Sequence, residues 1–174
     1  MDKVQSEIRK LEDSGDIDKL AEYLMDLAKY DENPMKYENE FRKHLDSSYW
    51  HLRKTAVFCL MFILQIDNSE YRNQAIKFVK DKNEDEEVRR WAASGLAQTY
   101  QKTKDKELLK VFIEIIDDDN DHTIKESLMN TALLVFGITS RERVLRSNKG
   151  VIPTLQDLFS SFQMELTEIR EIIK

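Results

Sequence analysis

Turn-forming residues are scarce in this chain, with four glycines and two prolines among 174 residues. Val, Ile and Thr are scattered through longer periodic segments and never alternate cleanly with polar neighbours, so sheets joined by tight hairpins are excluded and an all-α fold is expected. Cysteine is almost absent: Cys59 is the only one, so no disulfide can form within the chain. Its place between Phe58 and Leu60 reads as a buried thiol in a reducing compartment rather than a nucleophile. Long apolar runs are missing as well. The longest, Ala56 to Ile66, is interrupted by Gln65 and is too short to cross a bilayer, and the first residues, Met1 to Glu7, lack the apolar segment of a secretory signal. A cytoplasmic protein without a membrane partner is expected. A basic excess is lacking too: 27 Lys and Arg face 33 Asp and Glu, a formal net charge of −6. That balance argues against nucleic acid as a partner, because the cations that would displace counterions from phosphates are outnumbered.

Chemistry-bearing motifs are missing in the same way. No GxxxxGK[ST], GxGxxG or nucleophile motif occurs, so the chain is read as no enzyme and as needing no cofactor. His44, His51 and His122 are dispersed without the spacing of a metal site. Asp117, Asp118, Asp119 and Asp121 lack the glycine and terminal glutamate of a calcium loop and read as a solvated turn.

What the chain does have is a repeat. Leu52, Arg53, Ala56 and Leu60 reappear in type 36 positions on as Val88, Arg89, Ala92 and Leu96, and after another 36 as Ile124, Lys125, Leu128 and Ala132. An aliphatic residue beside a cation, with small or apolar residues three and seven positions after the cation, belongs to one face of a helix. Three copies in one register mark a helical array. The expected signature helices run over about Tyr49 to Ile66, Glu86 to Gln101 and His122 to Phe136. Each pairs with a preceding helix: about Tyr37 to Leu45, residues 70 to 80, and one from about Asp105. Before them come a short helix over residues 4 to 12 and one from Ile17 to Lys29 capped by Asp16, ended by Asp31-Glu32-Asn33-Pro34. After them, Gly137 suits a helix end, Ser140 caps a short helix through Leu145, and Pro153 opens a last helix with Leu155, Leu158, Phe159, Phe162, Leu166 and Ile169 in a stripe.

Val88-Arg89 followed by Ala92 and Leu96, in the second helix of a hairpin after an acidic turn, resembles the B-helix signature of HEAT repeats, and Leu52-Arg53-Lys54-Thr55-Ala56 reads the same way. The resemblance implies a right-handed α-α superhelix, a HEAT-like solenoid, forming a single domain over 1–174 with its clearest repeats at about 36–137 and the flanks as caps. In that family the repeated cation bonds to an aspartate in the turn between paired helices. Asp119 stands there for Lys125, whereas Asn83 and Ser47 occupy the equivalent places for Arg89 and Arg53.

The family's B helices line a concave face, which implies a protein partner bound there. The flank opposite the buried register carries Lys54, Arg90 and Glu126, then Phe58, Ser94 and Asn130. Trp50 and Trp91, near the starts of consecutive signature helices, read either as hairpin packing or as anchors for a partner, and His51 lies between Trp50 and Lys54. Phe58 likewise has two readings, core or surface. Trp50, His51, Lys54, Phe58, Arg90, Trp91, Ser94, Glu126 and Asn130 are therefore the candidate partner-binding residues of a non-catalytic scaffold or adaptor, an inhibitor or immunity-type protein being one form of it. The alternative is a HEAT-like DNA-repair glycosylase or other nucleic-acid-binding repeat protein, because Ser48 to Ala56 is similar to the tryptophan and paired cations that open a helix in those enzymes.

Overall fold

Apolar residues three and four apart, with few helix breakers between them, should give helices, and the computed structural model consists of them. It describes residues 3–118, 122–138 and 155–174, and none of these is in a strand. The chain divides into two compact units, one ending at Thr99 and the other starting at Tyr100.

The first unit opens with α1 (Lys3–Ser14), which buries Ile8. Gly15 then takes a positive φ of 69°, and Asp16 caps α2 (Ile17–Tyr30) by accepting the Lys19 amide at 3.2 Å and its ammonium at 2.6 Å. The ammonium is the main reason the Asp16 carboxyl is held below its usual range. One face of α2 buries Leu20, Ala21, Leu24, Leu27 and Ala28.

The helix expected over Tyr37 to Leu45 is shorter. Pro34 opens a single 3-10 turn (Pro34–Tyr37), α3 occupies only Glu38–Arg42, and His44 and Leu45 then donate to carbonyls three residues back. These tighter bonds close the helix early while still burying Phe41 and Leu45.

The first signature helix also departs from expectation. It is α-helical as α4 (Trp50–Val57), then widens into a π-helical turn over Phe58–Ile63. Leu64 donates to Cys59, five residues back, and Gln65 ends the segment at φ 49°. Asn68 caps α5 (Ser69–Lys80), and α6 (Glu86–Thr99) follows. In this unit α1 packs on α2, α2 on α4, α4 on α6, and α6 on both α5 and the π turn.

The second unit comprises α7 (Lys106–Asp118), α8 (His122–Phe136) and α9 (Leu155–Ile173), with α9 packed on α7 and α8. Gly137, at φ 108°, ends α8 and donates to Leu133, the conformation glycine adopts without steric cost. Phe162, Leu166 and Ile169 of the expected terminal stripe are buried, and Arg170 of α9 holds Asp117 of α7 at 2.6 Å. The helix from Ser140 to Leu145, the Asn148-Lys149-Gly150 turn and Pro153 lie outside the described residues, as do Asp119 and Asp121.

The repeat register is the core register. Leu52, Val88 and Ile124 are buried, as are Ala56, Ala92 and Leu128, and Leu60, Leu96 and Ala132. Removing such a set from water supplies the main favourable free energy of helical packing.

A candidate partner-binding site

The widened turn after α4 determines how the site is built. A π turn needs more residues per revolution than an α turn, so residues four apart come nearly into line. Phe58 and Phe62 accordingly stack, with centroids 5.4 Å apart and planes 15° from parallel. Trp91 of α6 meets both edge to face, at 4.7 and 5.2 Å, the geometry aromatic quadrupoles favour. Two features let α6 approach this closely. Gly95 faces the turn where an added Cβ would stand 2.9 Å from the Met61 Cβ, and the Thr99 hydroxyl donates to the Met61 carbonyl at 2.9 Å.

Beside the aromatic trio lies a cavity of about 190 Å³. Its walls are Met25 and Lys29 from α2, Lys54 and Thr55 from α4, Phe58 from the π turn and Trp91 from α6. The Lys29 ammonium sits 5.2 Å from the Phe58 centroid, and the Lys54 ammonium sits 5.1 Å from the Trp50 centroid. Neither lysine is ion-paired to a carboxylate among the described residues. Thr55 is fully buried, and its hydroxyl has no hydrogen-bond partner among the described residues.

Lys54, Phe58 and Trp91, three of the residues singled out in the sequence, are therefore brought to one cavity. Trp50 and His51 lie at the start of α4, stacked on each other with centroids 3.6 Å apart, and the His51 Nε2 is 3.8 Å from Asp18 of α2. Phe58 is 8 % exposed, so its ring serves as a wall and not as a projecting contact. Arg90 is half-buried and held on its own helix by Glu86 at 2.7 Å and Glu87 at 3.5 Å. Ser94 is half-buried further along α6. Half-buried Glu126 and exposed Asn130 belong to α8 of the second unit.

The sequence reading missed Met25, Lys29 and Thr55. Met25 and Lys29 are four apart on α2, and that spacing next to the buried Leu24 and Ala28 was the available signal.

Two of the repeated cations, Arg53 and Arg89, are structural, and each binds a backbone carbonyl in the segment before its own helix. Arg53 donates to the Ser47 backbone carbonyl at 2.7 Å and grips Glu84 with two nitrogens. Arg89, 4 % exposed, donates from two nitrogens to the Val79 carbonyl, both at 3.3 Å. A guanidinium fork can replace a side-chain partner with a backbone carbonyl, so Ser47 and Asn83 need supply no carboxylate.

The chemistry of the remaining groups is quiet. Cys59 is wholly buried, donates weakly to the Leu24 carbonyl at 3.6 Å, and burial pushes its pKa up to about 12. It therefore stays a thiol at neutral pH. No three His, Cys, Asp or Glu among the described residues cluster closely enough to hold a metal ion. No described helix is long and apolar enough to cross a membrane.

Comparison with known proteins agrees with an all-helical repeat. The family model described as HEAT repeats matches residues 38–131, more than half of the chain. The chain belongs to the HEAT-repeat family. No curated protein and no solved structure matches it.

Proposed function

We propose that this chain is a non-catalytic protein-binding module, whose first unit engages its partner at the cavity formed by α2, α4 and α6. The observation that carries this reading is the meeting of Lys54, Phe58 and Trp91 around one opening, with Lys29 beside them unpaired. Buried aromatic pockets rimmed by polar groups are where interface energy concentrates. Trp50 and His51 border that surface on α4, Arg90 and Ser94 extend it along α6, and Glu126 and Asn130 are proposed contacts of the second unit. HEAT-repeat proteins of this kind work as extended surfaces, which supports a cytoplasmic adaptor on a right-handed superhelix.

An inhibitor or immunity-type role would use the net charge of −6 to cover a basic partner. The unpaired lysines give the cavity itself the opposite preference, so the adaptor reading has the better support. A glycosylase-like reading needs bases stacked on open rings. Here Phe58 is covered by Phe62 and Lys29, Trp50 is covered by His51, and Arg90 is committed to Glu86 and Glu87.

Co-purification with a defined partner, identified by mass spectrometry and mapped by cross-linking, is the direct test. Cross-links are expected from Lys29 and Lys54. Turnover of a small molecule without a partner would overturn the reading. So would micromolar binding of a labelled duplex or single strand at about 0.15 M salt, weakening steeply as salt rises.

A further inference from the structure

We infer that the cavity between α2, α4 and α6 seats a single apolar side chain of a partner protein, flanked in that partner's sequence by carboxylates that Lys29 and Lys54 hold. This rests on the protein-binding reading and specifies the chemistry of the partner.

Size narrows the occupant first. A volume of about 190 Å³ falls below the roughly 300 Å³ at which sites for whole small molecules begin. It suits one side chain of the size of Leu, Met or Phe. The walls agree: Phe58 and Trp91 provide fixed aromatic surfaces, held by their edge-to-face contact, and Met25 provides a flexible thioether that adapts to shape.

Charge narrows it further. Several other cations in this unit are committed to carboxylates: Arg53 to Glu84, Arg90 to Glu86 and Glu87, Arg42 to Glu70, Lys43 to Glu12 and Glu40. Lys29 and Lys54, both on the cavity wall, have only rings beneath them, at 5.2 and 5.1 Å. Such contacts orient an ammonium without using up its three donors. Acidic side chains nearby do not neutralise them. Asp18 faces His51, and Glu22 and Asp26, exposed on α2, pair with neither lysine. Two unneutralised ammoniums beside an apolar recess select an acidic segment and disfavour a basic one.

Two lysines are too few for the counterion release that drives phosphate-backbone binding, which is why the occupant is a peptide.

The test uses the full chain carrying Trp50→Phe, which leaves Trp91 as the only tryptophan and its emission as a reporter on the cavity wall. The probes are short synthetic peptides with a central Leu, Met or Phe between glutamates, and matched versions carrying Gln or Lys at the flanks or Ala at the centre. Saturable change in Trp91 emission is expected from at least one glutamate-flanked member, with affinity falling roughly tenfold or more when glutamine replaces glutamate or alanine replaces the apolar centre. Lys29→Glu with Lys54→Glu, shown by circular dichroism to remain folded, should abolish the response. Lys54→Gln should weaken it severalfold. No saturable response to any glutamate-flanked peptide would overturn the inference. So would equal binding of lysine-flanked peptides, equal binding of free N-acetyl-leucine, or tighter binding of a short oligonucleotide. A co-purified partner whose binding survives the double lysine reversal would defeat this inference while leaving the protein-binding reading intact; the absence of any partner would defeat that reading itself.

Discussion

Arg53 and Glu84 lie 31 residues apart in sequence and meet through two parallel contacts, Nε to Oε2 at 2.9 Å and a second guanidinium nitrogen to Oε1 at 2.5 Å. Their side chains are 19 % and 7 % exposed. The pair joins the second helix of one hairpin to the turn that precedes the second helix of the next, so it acts between repeats and not within one.

Removing one partner leaves a largely desolvated charge behind, which costs more than the intact pair contributes. Glu84→Ala is expected to lower unfolding free energy by about 3 kcal/mol, read from the urea midpoint. Arg53→Lys should fall between that variant and the parent, because a lysine cannot reproduce the fork. A midpoint unmoved by Glu84→Ala would show the contact to be incidental.

Gly95→Ala sets two effects against each other. Alanine in a helix interior gains about 1 kcal/mol over glycine, but the new Cβ would meet the Met61 Cβ at 2.9 Å. That neighbour is anchored directly to the backbone and cannot rotate away. Overpacking of this kind costs about 1–3 kcal/mol, so a lower melting temperature is expected. A rise would mean that α6 can move away from the π turn without penalty.

His44 gives the fold a pH dependence. Its ring is buried and its Nε2 lacks a hydrogen-bond partner among the described residues. Burial, reinforced by Lys43, depresses its pKa below 6.5, against the weaker opposing pull of Glu12 and Glu40. The unfolded chain then binds the proton more readily than the folded one. The stability it supports is fully present above the unfolded value of 6.5 and declines as pH falls below it. Replacing His44 with Gln should flatten the stability profile below pH 6.5, measured by urea denaturation at stepped pH. An unchanged slope would assign the dependence to other groups.

Cys59 should resist modification. With the thiol buried and its pKa pushed up to about 12, an aromatic disulfide reagent at neutral pH should react only as fast as the protein opens. Labelling in urea should then follow the unfolding transition. Rapid stoichiometric labelling of the native chain would contradict the burial.

The helical class, the hairpin order and most of the core were legible in the sequence, because they depend on local periodicity. Positions 52, 88 and 124, with 56, 92 and 128, are buried in every copy, and a residue's face on a helix follows from spacing alone. Asp16 and Gly137 were equally legible, since a cap and a positive-φ helix end are short-range events. The π turn at Phe58–Ile63 was not. Its apolar run suits an α-helix equally well, and the choice depends on partners distant in sequence: Gly95, which leaves room, and Thr99, which bonds the Met61 carbonyl.

The site divides along the same line. Lys54, Phe58 and Trp91 could be selected from sequence because they flank a repeated register, but their convergence depends on the widened turn. Lys29, Met25 and Thr55 entered only when α2 packed against α4. Whether a cation is free is also a tertiary property. Arg90 and Lys54 look alike in the repeat, yet Arg90 is neutralised by glutamates one turn back on its own helix, while among the described residues no carboxylate lies within ion-pair distance of Lys54. Periodicity specifies which face of each helix is buried because that face repeats along the chain. It cannot specify which side chains from different helices share a recess, since that depends on helix separation and phase, set here by one missing Cβ and one π turn.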